Sequence, residues 1–153
     1  LPESKKVLKL KGEVMGEMYK KVLIPIDGSE QSLKAAHQGA ELAKKFGAAV
    51  TLFHVVPVLT VDRLRSIVVD EVKVHGKEML EQAARDIAAY GIPADTEMVP
   101  GHPADAIVLK ARVDGYDLII MGSSGLSGIK GYLLGSVSST VSRHAPCSVL
   151  IIR

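Results

Sequence analysis

Leu118-Ile119-Ile120-Met121-Gly122-Ser123-Ser124-Gly125-Leu126-Ser127-Gly128-Ile129-Lys130-Gly131-Tyr132-Leu133-Leu134-Gly135-Ser136 passes from an unbroken aliphatic run, through a glycine-rich loop, into the start of a helical pattern. A short run that is apolar at every position reads as a strand buried on both faces, the situation of a parallel strand between two layers of helix. Working outward, the same unit recurs. Val22-Leu23-Ile24-Pro25-Ile26 is a first strand ending at Asp27-Gly28-Ser29, a turn with a candidate helix N-cap. Leu33, Ala36, Ala40 and Ala43 then form one apolar stripe, with Lys34, Glu41 and Lys44 off it and Gly47 as the stop. Val50 to Val56 is a second buried strand closed by Pro57, and Val58 to Arg65 carries no clear period.

A long helix is expected from about Asp70 to Ala89, with Val72, Met79, Ala83, Ile87 and Tyr90 near one face, Gly76 weakening its middle, and Gly91 and Pro93 ending it. Asp95 to Val99 alternates polar with apolar and reads as a half-exposed outer strand. Pro103 suits the first turn of a helix through Val113. After the glycine loop, a helix from about Ser136 to His144 and a last strand, Ser148 to Ile152, complete five strands and four helices. The pattern is a single α/β domain with a mostly parallel sheet.

Composition narrows the function classes. The 153 residues are 47% hydrophobic and 24% charged, an ordinary globular profile rather than a disordered one. Nineteen Lys and Arg against 17 Asp and Glu leave a net charge of +2, too balanced for a chain whose main partner is nucleic acid. Six aromatic rings in all, with no Trp, give little material for stacking bases. One cysteine excludes an internal disulfide framework and a multi-cysteine zinc site, and fits a reducing compartment. No apolar stretch approaches the roughly 20 residues of a membrane span, so a soluble, cytoplasmic protein with no membrane partner is expected. Residues 1–17, Lys-rich and lacking an initial Met, read as an N-terminal extension or an expression remnant; residues 18–153 read as the domain.

The glycine loop suits a polyphosphate. Without Cβ atoms, backbone N–H groups approach anionic oxygens closely, and the unpaired donors opening the next helix extend the cradle. Hydrogen bonds to charged groups contribute about 1.5–3 kcal/mol each, so three or four reach the ~8 kcal/mol of a micromolar ligand after ordering costs. The competing reading is that these glycines only permit a tight loop and close helix packing. The letters exclude a Walker loop, a dinucleotide G-x-G-x-x-G after the first strand, and a G-x-S-x-G nucleophile elbow around Ser123 and Ser124. A phosphoacceptor receiver domain would need an acidic cluster that the third strand, ending Val99-Pro100-Gly101, does not supply.

Gly122-x2-Gly125-x9-Gly135-Ser136 resembles the nucleotide-binding motif of the universal stress protein family, in its ATP-binding branch. Pro25-Ile26-Asp27-Gly28-Ser29 resembles that family's opening motif, Phe53-His54-Val55 its second strand, and Val99-Pro100-Gly101-His102-Pro103 its approach to the third helix. The resemblance runs from about Met18 to Arg153. It implies a single open five-stranded parallel sheet in the order 3-2-1-4-5 with helices on both faces, of the adenine nucleotide alpha hydrolase-like type. It brings the ends of the first and fourth strands together at a topological switch point, where such sheets leave a ligand crevice.

The resemblance also implies roles. Backbone near Pro25, Ile26 and Val55 should border adenine, Asp27 should bond ribose hydroxyls, Met121 and Gly122 should contact the nucleoside, and Gly125, Gly135, Ser136 and Val137 should hold phosphates. The implied ligand is ATP, with Mg²⁺ or Mn²⁺ bridging phosphates and water. Plainer roles stand beside these: Asp27 as a turn residue, Val55 and Met121 as core, Ser136 as an N-cap, Lys130 as a solvated cation. His54, His102 and His144 show no metal spacing, and Cys147 has no activating base, so no catalytic residue is assigned.

The function expected is ATP binding by a nucleotide-dependent stress-response module; a slow ATPase switch and a nucleotide-free dimerisation scaffold are the alternatives. The apolar last strand, Ser148, Val149, Leu150, Ile151 and Ile152, is a candidate sheet edge, and the resemblance implies a homodimer across it. A valine at Gly135 is expected to occupy phosphate space and to weaken ATP binding more than folding.

Overall fold

A computed structural model describes residues 18–58, 65–126 and 133–153; within the helix beginning at Arg65, side chains are described from Asp70 onward. The elements run β1 (Lys21–Pro25), α1 (Glu30–Phe46), β2 (Ala49–Pro57), α2 (Arg65–Ala88), β3 (Ala94–Gly101), α3 (Pro103–Val113), β4 (Leu118–Gly122), α4 (Ser136–His144) and β5 (Ser148–Ile152). They form one sheet in the order β3-β2-β1-β4-β5, every pairing parallel.

Alternation of side chains splits the aliphatic runs between two cores. Val22, Ile24, Ile26, Leu52, Leu118 and Ile120 face α1 and α2, where Ala36, Ala40, Ala43, Leu80, Ala83 and Ile87 meet them. Leu23, Phe53, Val55, Ile119 and Met121 face α3 and α4, meeting Ile107, Val108, Ala111 and Val141. Tyr116 donates its hydroxyl to Thr51 Oγ1 at 2.8 Å, which satisfies both groups inside the second core.

Small residues set the helix-to-sheet distances. A Cβ on Gly39 would stand 2.9 Å from Ile120 Cγ2, and one on Gly76 only 2.8 Å from His54 Cδ2 and 3.0 Å from Met98 Sδ. Gly76 therefore weakens α2 locally in order to seat it against β2 and β3. Gly47 closes α1 in the left-handed conformation at φ 68°, as its place in the sequence indicates.

Three expectations need correction. The second helix begins at Arg65 rather than near Asp70; the β-branched run Ile67-Val68-Val69 lowers helix propensity and hides the period. Tyr90 lies beyond that helix and is 61% exposed, its ring edge-on to His37, while Leu80 takes the buried place. The outer strand spans Ala94–Gly101, longer than Asp95 to Val99, with Pro100 tolerated because β3 is an edge. Residues 59–64, the centre of the stretch without period, lie outside the described residues.

Candidate functional site

The sheet opens where β1 stops pairing with β4. Their register holds for Val22↔Leu118 and Leu23↔Ile119 and goes no further, whereas β1 stays paired with β2 as far as Pro25↔Phe53. Pro25 explains the parting. Ile26 N–H is given to Phe53 O at 2.8 Å, so the main-chain groups of Pro25 face the other side, toward β4, where proline has no N–H to offer. The resulting crevice encloses about 290 Å³ at the C-terminal ends of the strands.

All ten residues singled out from the sequence line this crevice: Pro25, Ile26 and Asp27 from the end of β1, Val55 from β2, Met121 and Gly122 from β4, Gly125 from the loop after it, and Gly135, Ser136 and Val137 at the start of α4. Phe53, Pro103 and Ile107 add apolar wall. Lys130 and the glycines at 128 and 131 lie outside the described residues.

Asp27 is the charged centre of this wall. Its Oδ1 accepts the Ser29 N–H at 2.9 Å and its Oδ2 the Leu126 N–H at 3.2 Å. Burial opposes ionisation, but hydrogen bonding from Ser29, Ser32 and Leu126 outweighs it and holds the carboxyl below the ordinary aspartate range. The turn is locked from its other side as well: the Ser32 hydroxyl accepts the Asp27 N–H at 3.2 Å and donates to Ser29 O at 2.9 Å, while Ser29 caps α1 by accepting the Ser32 N–H. Asp27 is thus both a turn residue and an acceptor aimed at the crevice.

The glycines prove to have different duties. A Cβ on Gly122 would lie 2.9 Å from the Gln31 carbonyl group, so this residue admits the first turn of α1. On Gly125 it would lie 2.4 Å from Asp27 Oδ2, so this glycine lets the loop close on the carboxylate. Gly135 is the N-cap of α4, gives its N–H to Ser123 O at 2.8 Å, and would bring a Cβ within 3.3 Å of Ser124 Cα. A valine there meets the Ser123–Ser124 backbone, so the substitution bears on the packing of the loop as well as on the crevice. Ser136 is not the N-cap: it is the first helical residue, exposed at the crevice, and α4 has no side-chain cap.

Two contributors escaped the sequence reading. Ser138, 2% exposed, donates to both Ser123 O at 2.8 Å and Gly135 O at 3.0 Å and so fastens the loop to α4. Its signal was a small hydroxyl on the apolar stripe beside Val141. His54 lines the crevice and places Nδ1 2.8 Å from Ile26 O. His102 and His144 are exposed, and Cys147 is half-buried with its thiol pushed up by burial and by Asp117, the opposite of activation. Among the described residues, no three His, Cys, Asp or Glu side chains are grouped to hold a metal ion, and no helix is long and apolar enough to cross a membrane.

Comparison with known proteins finds that the family model described as "Universal stress protein family" matches residues 18–153. Universal stress protein YxiE of Bacillus subtilis is 39% identical over 148 residues, covering 89% of this chain and 100% of its own. Among solved structures, universal stress protein UspA from Lactobacillus plantarum superposes with a TM-score of 0.82 at 27% identity, covering 88% of this chain and 98% of its own. A universal stress protein crystallised in complex with cAMP superposes with a TM-score of 0.72 at 30% identity, covering 90% of this chain and 99% of that one.

Proposed function

We propose, from the premise that the chain belongs to the universal stress protein family, that it is an ATP-binding regulatory module of a cytoplasmic stress response and acts as a homodimer. The observation that carries this reading is the crevice at the β1/β4 switch point, walled by aliphatic side chains and glycine-loop backbone, with one ionised carboxylate at its centre. The relative crystallised with cAMP supports an adenine nucleotide as the guest.

The parts divide by chemistry. Ile26, Val55 and Met121 offer an apolar slot and main-chain edges for a flat base. Asp27, kept ionised, has lone pairs left over from Ser29 and Leu126 and accepts ribose hydroxyls. Gly125, Gly135, Ser136 and Val137 turn loop backbone, a hydroxyl and a helix start toward phosphate. Among the described residues no cluster of side chains would hold Mg²⁺ or Mn²⁺ by itself, so either ion would enter with the phosphates and would supply charge neutralisation there. Binding, rather than turnover, is the work proposed: a carboxyl held below its usual range is a poor general base near neutral pH.

Among the described residues β5 ends the sheet, pairing only with β4, and Val149 to Ile152 remain partly exposed. We assign Ser148 to Ile152 as the edge on which a second copy docks.

The test is to heat the purified protein, separate the released small molecules by chromatography, and titrate the ligand-free chain with AMP, ADP and ATP, with and without Mg²⁺. Recovery of adenine nucleotide and micromolar calorimetric binding are expected. No binding at millimolar nucleotide overturns the reading, and a monomer by light scattering at micromolar concentration removes the dimer.

A further inference from the structure

Beyond Pro25 and Phe53 the register of β1 with β2 ends as well, and one side chain stands between the two strands there. Phe53 directs its N–H and C=O at β1, its carbonyl accepting the Ile26 N–H at 2.8 Å across from its register partner Pro25. Main-chain groups alternate along a strand, so those of His54 and Val56 face β3 and the next pair facing β1 belongs to Val55. Continuation of the ladder would send the Val55 N–H to Ile26 O. That oxygen instead accepts the Nδ1–H of His54 at 2.8 Å, and because a carbonyl only accepts, the contact fixes the proton on Nδ1. The ring has room because Gly76 of α2 has no Cβ to strike it. Val55 itself is buried, 7% exposed, on the crevice wall, where an unpaired N–H is costly unless a ligand meets it.

We infer that His54 is a positioning residue for base recognition: by occupying Ile26 O it stops β1 from zipping onto Val55 and leaves the Val55 N–H and C=O as a donor and acceptor pair for the edge of adenine. The inference rests on the adenine nucleotide reading above. Adenine presents an acceptor at N1 beside a donor at N6, which complements that pair. Hypoxanthine presents a donor at N1 beside an acceptor at O6, which opposes it at both points. A wall built this way takes AMP and refuses IMP, since mismatched buried polar groups discriminate far more sharply than shape does.

The test is calorimetric titration of AMP and IMP into the full chain and its variants. Asn places Nδ2 where His54 carries Nδ1, so His54→Asn keeps the donor; His54→Leu is close in size and lacks it. The expected result is that the native chain and His54→Asn prefer AMP over IMP by about tenfold or more, while His54→Leu loses that preference. A general packing defect would weaken both nucleotides together and leave their ratio alone. An unchanged ratio in His54→Leu, or a ratio lost equally in His54→Asn, overturns the inference. Should His54→Leu fail to fold, the native chain still decides: its Val55 amide resonance is expected to shift downfield with AMP and not with ribose 5-phosphate, and no such difference overturns the inference. Failure of the native chain to bind any adenine nucleotide would instead sink the function proposed above.

Discussion

Gly125→Ala separates a carboxylate-closing loop from a merely flexible one. The added methyl carbon would lie 2.4 Å from Asp27 Oδ2, about 1 Å inside ordinary contact, so either the carboxylate turns away or the loop lifts. Both responses break the Leu126 N–H bond to Oδ2, a contact to a charged acceptor worth about 1.5–3 kcal/mol when well formed. At 3.2 Å and partly exposed it belongs at or below the low end of that range. Gly125 does not have a positive φ, so Ala fits the backbone and returns about 0.4–1 kcal/mol through a less disordered unfolded chain. The balance is a net loss of about 1 kcal/mol. In an Asp27→Ala background the oxygen is gone, and Gly125→Ala becomes neutral or stabilising by a few tenths of a kcal/mol. Urea unfolding of the native chain, the two single variants and the double variant closes the cycle, with a coupling energy of about 1–2 kcal/mol expected. Additivity within about 0.5 kcal/mol would refute the closure of this loop on Asp27.

Other perturbations have equally definite outcomes. Because the Asp27 carboxyl is held below its unfolded value, its stabilising contribution is full above the ordinary aspartate pKa and is lost as pH falls through the folded value; the urea midpoint should therefore fall with acid below pH 4 for the native chain and less so for Asp27→Asn. Gly76→Ala, which in an exposed helix would stabilise by about 1 kcal/mol, should instead lower the melting temperature because the methyl meets His54 and Met98; a rise would show that α2 can retreat freely. Gly135→Val should lose stability and nucleotide affinity together, by about 1–3 kcal/mol in denaturant titration, and intact stability with lost affinity would restore the open-cradle view. Tyr116→Phe leaves Thr51 Oγ1 without its partner in the second core and should cost about 1–2 kcal/mol in the same assay.

The alternation of strands and helices and the ends of most elements were legible because the aliphatic runs, the glycine stops and the proline starts are local signals, whereas the order of the strands followed from the family resemblance alone. Val22 to Ile26 and Leu118 to Met121 declare two-sided burial letter by letter. What stayed hidden depends on neighbours distant in sequence. The start of α2 is masked by three β-branched residues, and Gly76 reads as a defect until His54 and Met98 are seen against it. At the crevice, residue types identified the wall but not the division of labour. Gly122, Gly125 and Gly135 look alike in a loop, yet one admits a helix, one admits a carboxylate and one caps α4. Ser136 and Ser138 differ by two positions; the hydroxyl that ties the structure together is the second, a distinction fixed by which face of α4 turns inward.

Ser123 sits at a junction. Its N–H is given to Ile152 O at 2.9 Å, and its own carbonyl accepts from Gly135 N–H and the Ser138 hydroxyl. The tail of the outermost strand and the mouth of the crevice thus share the two peptide groups of a single residue as their hinge pin. Any load placed on that strand's end is transmitted through one residue to the loop facing Asp27, and a guest that rearranges the loop pulls back along the same line.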